Sequence, residues 1–404
     1  MNILNKFYIT IVLIVISSFL YGQCDDRYDS EIFENVTIET VTYSDVTGFE
    51  MDIYQPVGDT YTNRPLILLA HGGAFFGGSK NNPTMRNMCT TFAKRGYVTA
   101  SIQYTLAPGI VSLADSMFMI DIVMSAVADG KSAIRYFRKS AENGNQFGID
   151  ESQIWAGGNS AGAILMAHLA YIGENDDVPQ HIQSIIDSQG GLEGDAGNDG
   201  YSSEVSGVIN LAGGLNNPDW ISADEEPLVS CHGDMDGIVP FDCNDVYWGD
   251  TNFGQFDLID LCGSEVLNAR AEEIGVDHDL LVFVGEDHTP WSLQPLEHEP
   301  TMIDFVKDFI KDRVECNIIS NNDNIEEIEI NTFPNPATEW IQFFVPTDVT
   351  INEIQLFTIS GQLINRYEVN SSSKTILVEH LQSGIYVTQI QTSSGVVTRR
   401  VVIN

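Results

Sequence analysis

Apolar positions along this chain follow two different rhythms. Between residues 65 and 314, short unbroken apolar runs alternate with stretches in which apolar residues return every three or four positions. The runs at 65–70, 97–104, 154–156, 208–212, 228–231 and 280–284 predict buried strands. Helical spacing over 119–142 (Ile120, Val123, Val127, Ile134, Phe137), 161–171 and 301–314 predicts helices between and after them. Strands alternating with helices imply a mostly parallel sheet covered on both faces, an α/β fold. From residue 331 the rhythm changes. Segments at 340–345, 353–357, 362–369, 375–379, 385–391 and 396–403 are short and alternating, with turn residues such as Ser360-Gly361 and Ser394-Gly395 between them. That pattern predicts a small all-β sandwich. The polar stretch between the two regimes opens NIISNNDNIEEIE, lacks aromatics, and reads as a linker over residues 317–330.

The first residues read as an address. Lys6 precedes an apolar run ending at Leu20, with Gly22 and Gln23 behind it. One base, an apolar stretch and a small residue predict a secretory signal peptide over residues 1–23. A membrane-spanning helix needs roughly 20 apolar residues, so no span is expected in the mature chain. Lipidation of Cys24 would call for a small residue directly before it, where Gln23 stands. The expected organisation is therefore signal peptide 1–23, catalytic domain 24–316, linker 317–330 and β module 331–404.

Charge narrows the partners. The chain has 57 acidic and 19 basic residues, a net charge of −38. Nucleic-acid phosphates would be repelled, and anionic membrane surfaces are disfavoured. The last 74 residues hold five acids and four bases, so the excess lies in the middle of the chain, where it serves solubility. Steering of cationic substrates is the sharper alternative. Cys24, Cys89, Cys231, Cys243, Cys262 and Cys316 are an even set in an exported chain and permit disulfides. Cys243 and Cys262 bracket one loop and are the expected pair, while Cys231 reads as a small core residue. No spacing resembles a zinc site.

Chemistry concentrates at four places. Gly158-Asn159-Ser160-Ala161-Gly162 follows a predicted strand and opens a helix, the context that gives G-x-S-x-G its meaning. Glycines permit a turn so tight that the serine projects above the sheet edge, and the helix start aims free N–H groups at the same spot. The run 66–70 leads into His71-Gly72-Gly73-Ala74-Phe75. Here the chain resembles the α/β-hydrolase superfamily in its esterase and lipase branch, whose H-G-G-G-type loop offers backbone N–H groups to an oxyanion. The resemblance implies donors at Gly73, Ala74 and Ala161, with Gly72 as the alternative if the loop is shifted by one. Ala74 stands where the branch has its last glycine. A backbone donor survives that change provided the position is not held at positive φ.

The third place, His232-Gly233-Asp234-Met235-Asp236-Gly237-Ile238-Val239-Pro240, resembles the superfamily's acid loop. The resemblance implies Asp236 as the acid that orients the base, with Asp234 in competition and His232 tying the loop down. The fourth, Gly285-Glu286-Asp287-His288-Thr289-Pro290-Trp291, follows the last predicted strand, and by the same resemblance His288 is the base, with His298 as the nearest rival. The order Ser160, Asp236, His288 is the one expected for this fold. The implied chemistry is acyl transfer. His288 takes the proton of Ser160 as its oxygen attacks an ester carbonyl, Asp236 steadies the imidazolium, and water later releases the acyl group. It calls for no metal and no organic cofactor. The segment 97–108, with Tyr104-Thr105-Leu106-Ala107-Pro108, adds to the resemblance, which spans about residues 36–314. The acid loop departs from the D-P-L-x-D pattern of hormone-sensitive-lipase-like esterases. It looks more like acetyl-xylan, feruloyl and related carboxylesterases, or prolyl-oligopeptidase-type peptidases, so no subfamily follows.

Two further features bear on ligands. Residues 190–200 (GGLEGDAGNDG) hold Glu193, Asp195 and Asp199, and read as a solvated insertion rather than a calcium loop. Among the aromatics, Phe75 and Trp291 are the ones expected near the substrate.

Phe333-Pro334-Asn335-Pro336-Ala337, Gly361-Gln362, Leu381-Gln382-Ser383-Gly384-Ile385-Tyr386-Val387 and Arg399-Arg400 resemble the C-terminal sorting domain of type IX secretion in Bacteroidetes. That implies export through the type IX machinery to the surface or the medium. A carbohydrate-binding or adhesive sandwich is the alternative. Together these features predict a secreted serine carboxylesterase acting on a small or polymer-linked ester, such as an acetylated or feruloylated polysaccharide or a polyester. A serine peptidase on the same fold is the alternative, although the short region before residue 65 leaves no room for a propeller or large lid. A non-catalytic adhesion protein on this scaffold is the third.

Overall fold

The computed structural model describes residues 26–109, 112, 115–245, 260–314, 330–346, 349–358, 363–393 and 395–403. The expected signal peptide, Cys24, Cys316, Gly361-Gln362 and all of the linker but residue 330 lie outside the described residues. The chain divides into two compact units, residues 1–317 and 318–404.

The first unit is built on eight strands: β1 (Val36–Thr42), β2 (Glu50–Pro56), β3 (Arg64–Ala70), β4 (Val98–Ile102), β5 (Ile149–Asn159), β6 (Gly207–Leu211), β7 (Leu228–Gly233) and β8 (His278–Phe283). They form one sheet in the order β1-β2-β4-β3-β5-β6-β7-β8. β2 pairs antiparallel with both β1 and β4, and every pairing from β4 to β8 is parallel. Side chains alternate between the faces. Leu66, Leu68 and Ala70 of β3 enter one core, and Ile67 and Leu69 the other. Both faces are buried, which is why β3, β4, β6 and β7 read as continuous apolar runs.

Helices cover each face. The first core takes α2 (Ser116–Glu142) through Ile120, Val123, Val127, Ile134 and Phe137, and α3 (Ala161–Tyr171) through Leu165 and Leu169. The second takes α1 (Pro83–Ala93) through Met85, Met88 and Phe92, and α6 (Glu299–Lys311) through Met302, Val306 and Phe309. Two further helices, α4 (Gln180–Ser188) and α5 (Ser264–Ile274), add Ile182, Ile186, Leu267 and Ala271 to the first core. α3 is apolar all round and nearly wholly buried, so propensity and packing agree there. A small ribbon places Asp260–Gly263 between Gly214–Leu215 and Cys243–Asp245, and the disulfide Cys243–Cys262 joins two of its strands. Cys89 and Cys231 are free and buried.

Residues 190–200 are stitched to α2. Glu193 meets Lys131, Arg135 and Ser203, and the guanidinium of Arg135 also donates to Gly197 O. Among the described residues, no group of three or more His, Cys, Asp or Glu is arranged to hold a metal ion, and no helix is long and apolar enough to cross a membrane.

Among its described residues the second unit has seven antiparallel strands: β9 (Asn331–Phe333), β10 (Trp340–Phe344), β11 (Ile351–Thr358), β12 (Leu363–Ser371), β13 (Ser373–Leu377), β14 (Gly384–Thr392) and β15 (Gly395–Ile403). They make a three-stranded sheet β9-β10-β13 and a four-stranded sheet β12-β11-β14-β15. Alternate residues, among them Ile341, Phe343, Ile354, Leu356, Ile390 and Val401, fill the space between them.

Candidate active site

Four loops leave the carboxyl ends of β3, β5, β7 and β8, all part of the parallel portion of the sheet. The turn after β5 carries Ser160 at φ 55°, ψ −121°, a strained conformation for a residue with a side chain. Two close approaches explain the flanking glycines. A Cβ on Gly158 would lie 2.3 Å from the carbonyl carbon of Gly162, and a Cβ on Gly162 would lie 2.2 Å from Ala70 O. The turn is therefore closed against both the start of α3 and the end of β3, and Ser160 N donates to Leu211 O at 2.8 Å.

Ser160 Oγ lies 2.9 Å from His288 Nε2, and His288 Nδ1 lies 2.7 Å from Asp236 Oδ2. With a carboxylate on Nδ1, that nitrogen carries the proton and Nε2 is left to accept from the serine hydroxyl. Asp236 is wholly buried, and each of its oxygens takes two donors. Oδ1 accepts from Ile238 N at 2.8 Å and Val239 N at 2.9 Å, and Oδ2 accepts from His288 and from His232 Nε2 at 3.1 Å. Burial alone pushes this carboxyl up. The hydrogen bonds from His232 and His288, the charge of His288 and the Ile238 N–H outweigh it and hold the group well below the usual carboxylate range.

The competing residues are committed elsewhere. Asp234 accepts from Gly285 N. His298 meets Glu286 at 3.3 Å and packs against Phe283. His232 is buried between Ser264 Oγ and the acid loop, so it ties down that loop.

The loop after β3 lies beside Ser160. Among the described residues, none accepts a hydrogen bond from the N–H groups of Gly73, Ala74 or Ala161, and all three residues line cavities that contain Ser160. Ala161 opens α3, where the N–H has no partner within the helix. Ala74 stands at φ 59° and Phe75 at φ 58°. Position 74 is thus held at positive φ, contrary to the expectation attached to an alanine there, yet Ala74 adopts that conformation and its N–H is not taken by another described residue. Replacing Ala74 with Gly is expected to stabilise the fold by about 0.5–1 kcal/mol, relief of left-handed strain outweighing the extra freedom of the unfolded chain. A thermal melt of the variant checks this.

A strap after β4 clamps the same loop. Tyr104 Oη donates to His71 O at 2.6 Å, its ring stacks on His71 with centroids 4.4 Å apart, and Ala107 N donates to Phe75 O at 2.6 Å. Thr105 is in turn held by Asp129 Oδ2 at 2.8 Å from its N–H and 2.6 Å from its hydroxyl. Burial, partly offset by those donors, pushes Asp129 up to about 6. Tyr104→Phe is expected to lower kcat/KM on an ester about tenfold while costing about 1 kcal/mol of stability, because His71 O loses its anchor next to the N–H donors. Parallel kinetics and denaturant melts measure both.

Two cavities meet at Ser160. One, of about 60 Å3, runs between α2, α3 and α4 and is walled by Phe75, Val123, Met124, Ile164, Trp220 and Leu261 among others. The other, of about 360 Å3, is lined by Gly72, Asn82, Asn159, His288, Thr289 and Ser292 among others. Phe75 lines the first. Trp291 stands in neither: it is fully buried beneath the turn, and its Nε1 donates to Asn159 Oδ1 at 2.9 Å. An indole with its ring in the second core cannot reach substrate, so the expected contact is corrected to support of Asn159. From the sequence, Trp220 counts among aromatics that could line a pocket but is expected to pack, and His168 is expected to be packed or surface-facing; both line the first cavity. His168 sits two turns along α3 from Ser160, a helical spacing that could have flagged it, whereas Trp220 comes from a loop with no motif.

Residues 51–213 match the family model BD-FAE, and residues 331–404 match the family model for the secretion system C-terminal sorting domain. No curated protein sequence matches the chain. Among solved structures, Thermogutta terrifontis esterase 2 phosphorylated by paraoxon is similar, at 21% identity with a TM-score of 0.50, covering 68% of this chain and 94% of that one. The same esterase phosphoramylated by tabun is similar at 20% identity and a TM-score of 0.50, over the same shares. The first unit thus has the α/β-hydrolase fold, and the second is a sorting domain that indicates export by type IX secretion.

Proposed function

We propose that this chain, which carries a BD-FAE region of esterase-like α/β-hydrolase fold ahead of a sorting domain, is a secreted serine carboxylester hydrolase. Residues 24–316 form its catalytic domain, 1–23 its signal peptide, 317–330 a linker, and 331–404 the segment read by the type IX machinery. The observation that carries this is the unbroken path from Ser160 Oγ through both ring nitrogens of His288 to a buried, multiply bonded carboxylate. His288 Nε2 takes the serine proton as Oγ attacks the ester carbonyl. Asp236 holds the tautomer and stabilises the imidazolium. The free N–H groups of Gly73, Ala74 and Ala161 receive the developing oxyanion, each worth about 2.7–4 kcal/mol in the transition state. His288 then protonates the departing alcohol, and water attacks the acyl-enzyme by the same route in reverse.

The full mature chain is expected to turn over p-nitrophenyl esters and to leave peptide p-nitroanilides with the same acyl side intact. Cleavage of the amides without the esters would replace this assignment with a peptidase.

A further inference from the structure

Two imidazoles share one oxygen of Asp236. His288 Nδ1 reaches Oδ2 at 2.7 Å and His232 Nε2 reaches it at 3.1 Å. His232 is wholly buried, and its tautomer follows from its neighbours. Nε2 faces two acceptors, Asp236 Oδ2 and Val239 O, each at 3.1 Å, so it carries a proton. Nδ1 lies 2.7 Å from Ser264 Oγ, and that oxygen already accepts from Asn210 Nδ2 at 3.1 Å. The serine hydrogen is therefore free for the ring, and Nδ1 accepts it.

Holding the loop does not require the bond to Asp236. Oδ1 is already fixed by the N–H groups of Ile238 and Val239, and His232 also grips the loop through Val239 O. What the Nε2 bond adds is electrostatic. Negative charge on Oδ2 stabilises the imidazolium on His288 when the serine proton arrives. A second donor on the same oxygen draws on that charge and weakens its pull on His288. Burial pushes the Asp236 carboxyl up, and the bond from His232 comes ahead of the one from His288 among those that hold it down. The other charged groups around the pair are spoken for or stand aside. Asp234 accepts from Gly285 N, Asp287 accepts from Gly237 N and His288 N, and Glu286 meets His298. Asp242 and Glu265 line an open cavity with Asp236. Among the described residues, none of these carboxylates accepts a hydrogen bond from the ring of His232 or His288. Ser264 and Asn268 of α5 and Ser160 of the turn bring no charge.

Resting on the esterase reading above, we propose that His232 is a positioning residue that sets the pH range of the enzyme. By donating to the oxygen that His288 uses, it keeps His288 available as a base further into acid than an unshared carboxylate would. Ser264 serves the same end, since its hydroxyl fixes the tautomer that places a proton on His232 Nε2.

The test is the pH dependence of kcat/KM on a p-nitrophenyl ester, measured for the full mature chain and two variants. His232→Asn keeps an acceptor for Ser264 but is too short to reach Asp236. His232→Gln places an amide NH2 where Nε2 stood. The acid limb of His232→Asn is expected to move to higher pH by about half to one unit, a three- to tenfold loss at a pH on that limb. The limb of His232→Gln is expected to stay at the wild-type position. A histidine that only ties down the loop would lower the melting temperature and leave both limbs in place. That result, a shift to lower pH, or the same shift in both variants overturns the proposal. Nitrogen-15 NMR of labelled histidines in the wild type at pH 7 reads the tautomer whether or not the variants fold. A proton on Nε2 of His232 with a bare Nδ1 is expected, and a proton on Nδ1 overturns the assignment. No turnover of any ester by the wild type removes the esterase reading instead, and leaves the tautomer to be judged by NMR alone.

Discussion

Replacing Ser160 with Ala is expected to lower kcat/KM on p-nitrophenyl esters by about 10^4–10^6-fold, while the protein melts within a few degrees of wild type. The two effects separate because, among the described residues, the hydroxyl makes one hydrogen bond, to His288. Loss of that bond costs about 1 kcal/mol. The turn itself survives, since its shape is set by the contacts of Gly158 and Gly162 and by the bond from residue 160 N to Leu211 O. A large fall in melting temperature would mean that the serine is structural.

Asp236→Asn is expected to lower kcat about 10^3–10^4-fold and, unlike the serine variant, to destabilise the fold by about 2–3 kcal/mol. Both oxygens of Asp236 accept two hydrogen bonds, so an amide NH2 must face donors whichever way it is placed. Turned toward His288, it forces the proton onto Nε2, which then cannot accept from Ser160. Turned the other way, it meets the N–H groups of Ile238 and Val239 and opens the loop. The pH dependence follows from the depressed titration of the wild-type carboxylate. Its contribution to stability is fully present above about pH 4, the range of an unfolded aspartate, and is lost as pH falls through the lower folded value. The carboxylate therefore adds no acid limb of its own to activity between pH 5 and 8. Kinetics and chemical denaturation at three pH values check both parts.

Much of the site was legible because its chemistry demands local sequence. A serine on a turn closed against two neighbouring segments needs glycines at two positions away on each side, and the coordinates show what each avoids. Buried strands announced themselves as apolar runs, because both faces of the sheet are covered. β1 and β2 did not: β1 is an exposed edge strand, and β2 mixes acids with its apolar residues, so neither carries a run. The helices α4 and α5 are harder to read because each buries only a few side chains, and α1 because polar residues such as Arg86, Asn87 and Thr90 interrupt its buried positions. The strap was legible as a sequence stretch but not as a clamp, because the bonds from Tyr104 to His71 O and from Ala107 to Phe75 O join segments some thirty residues apart. Trp291 misled because proximity to His288 in sequence does not fix which side of the loop an indole takes.

The central claim is that the hydroxyl at position 160 is an activated nucleophile. Incubating the full mature chain with a fluorophosphonate probe at neutral pH, followed by peptide mass spectrometry, measures that directly. Stoichiometric modification on Ser160, abolished in Ser160→Ala and strongly slowed in His288→Ala, is the predicted result. An unlabelled wild-type protein, or a label on another residue, would contradict it.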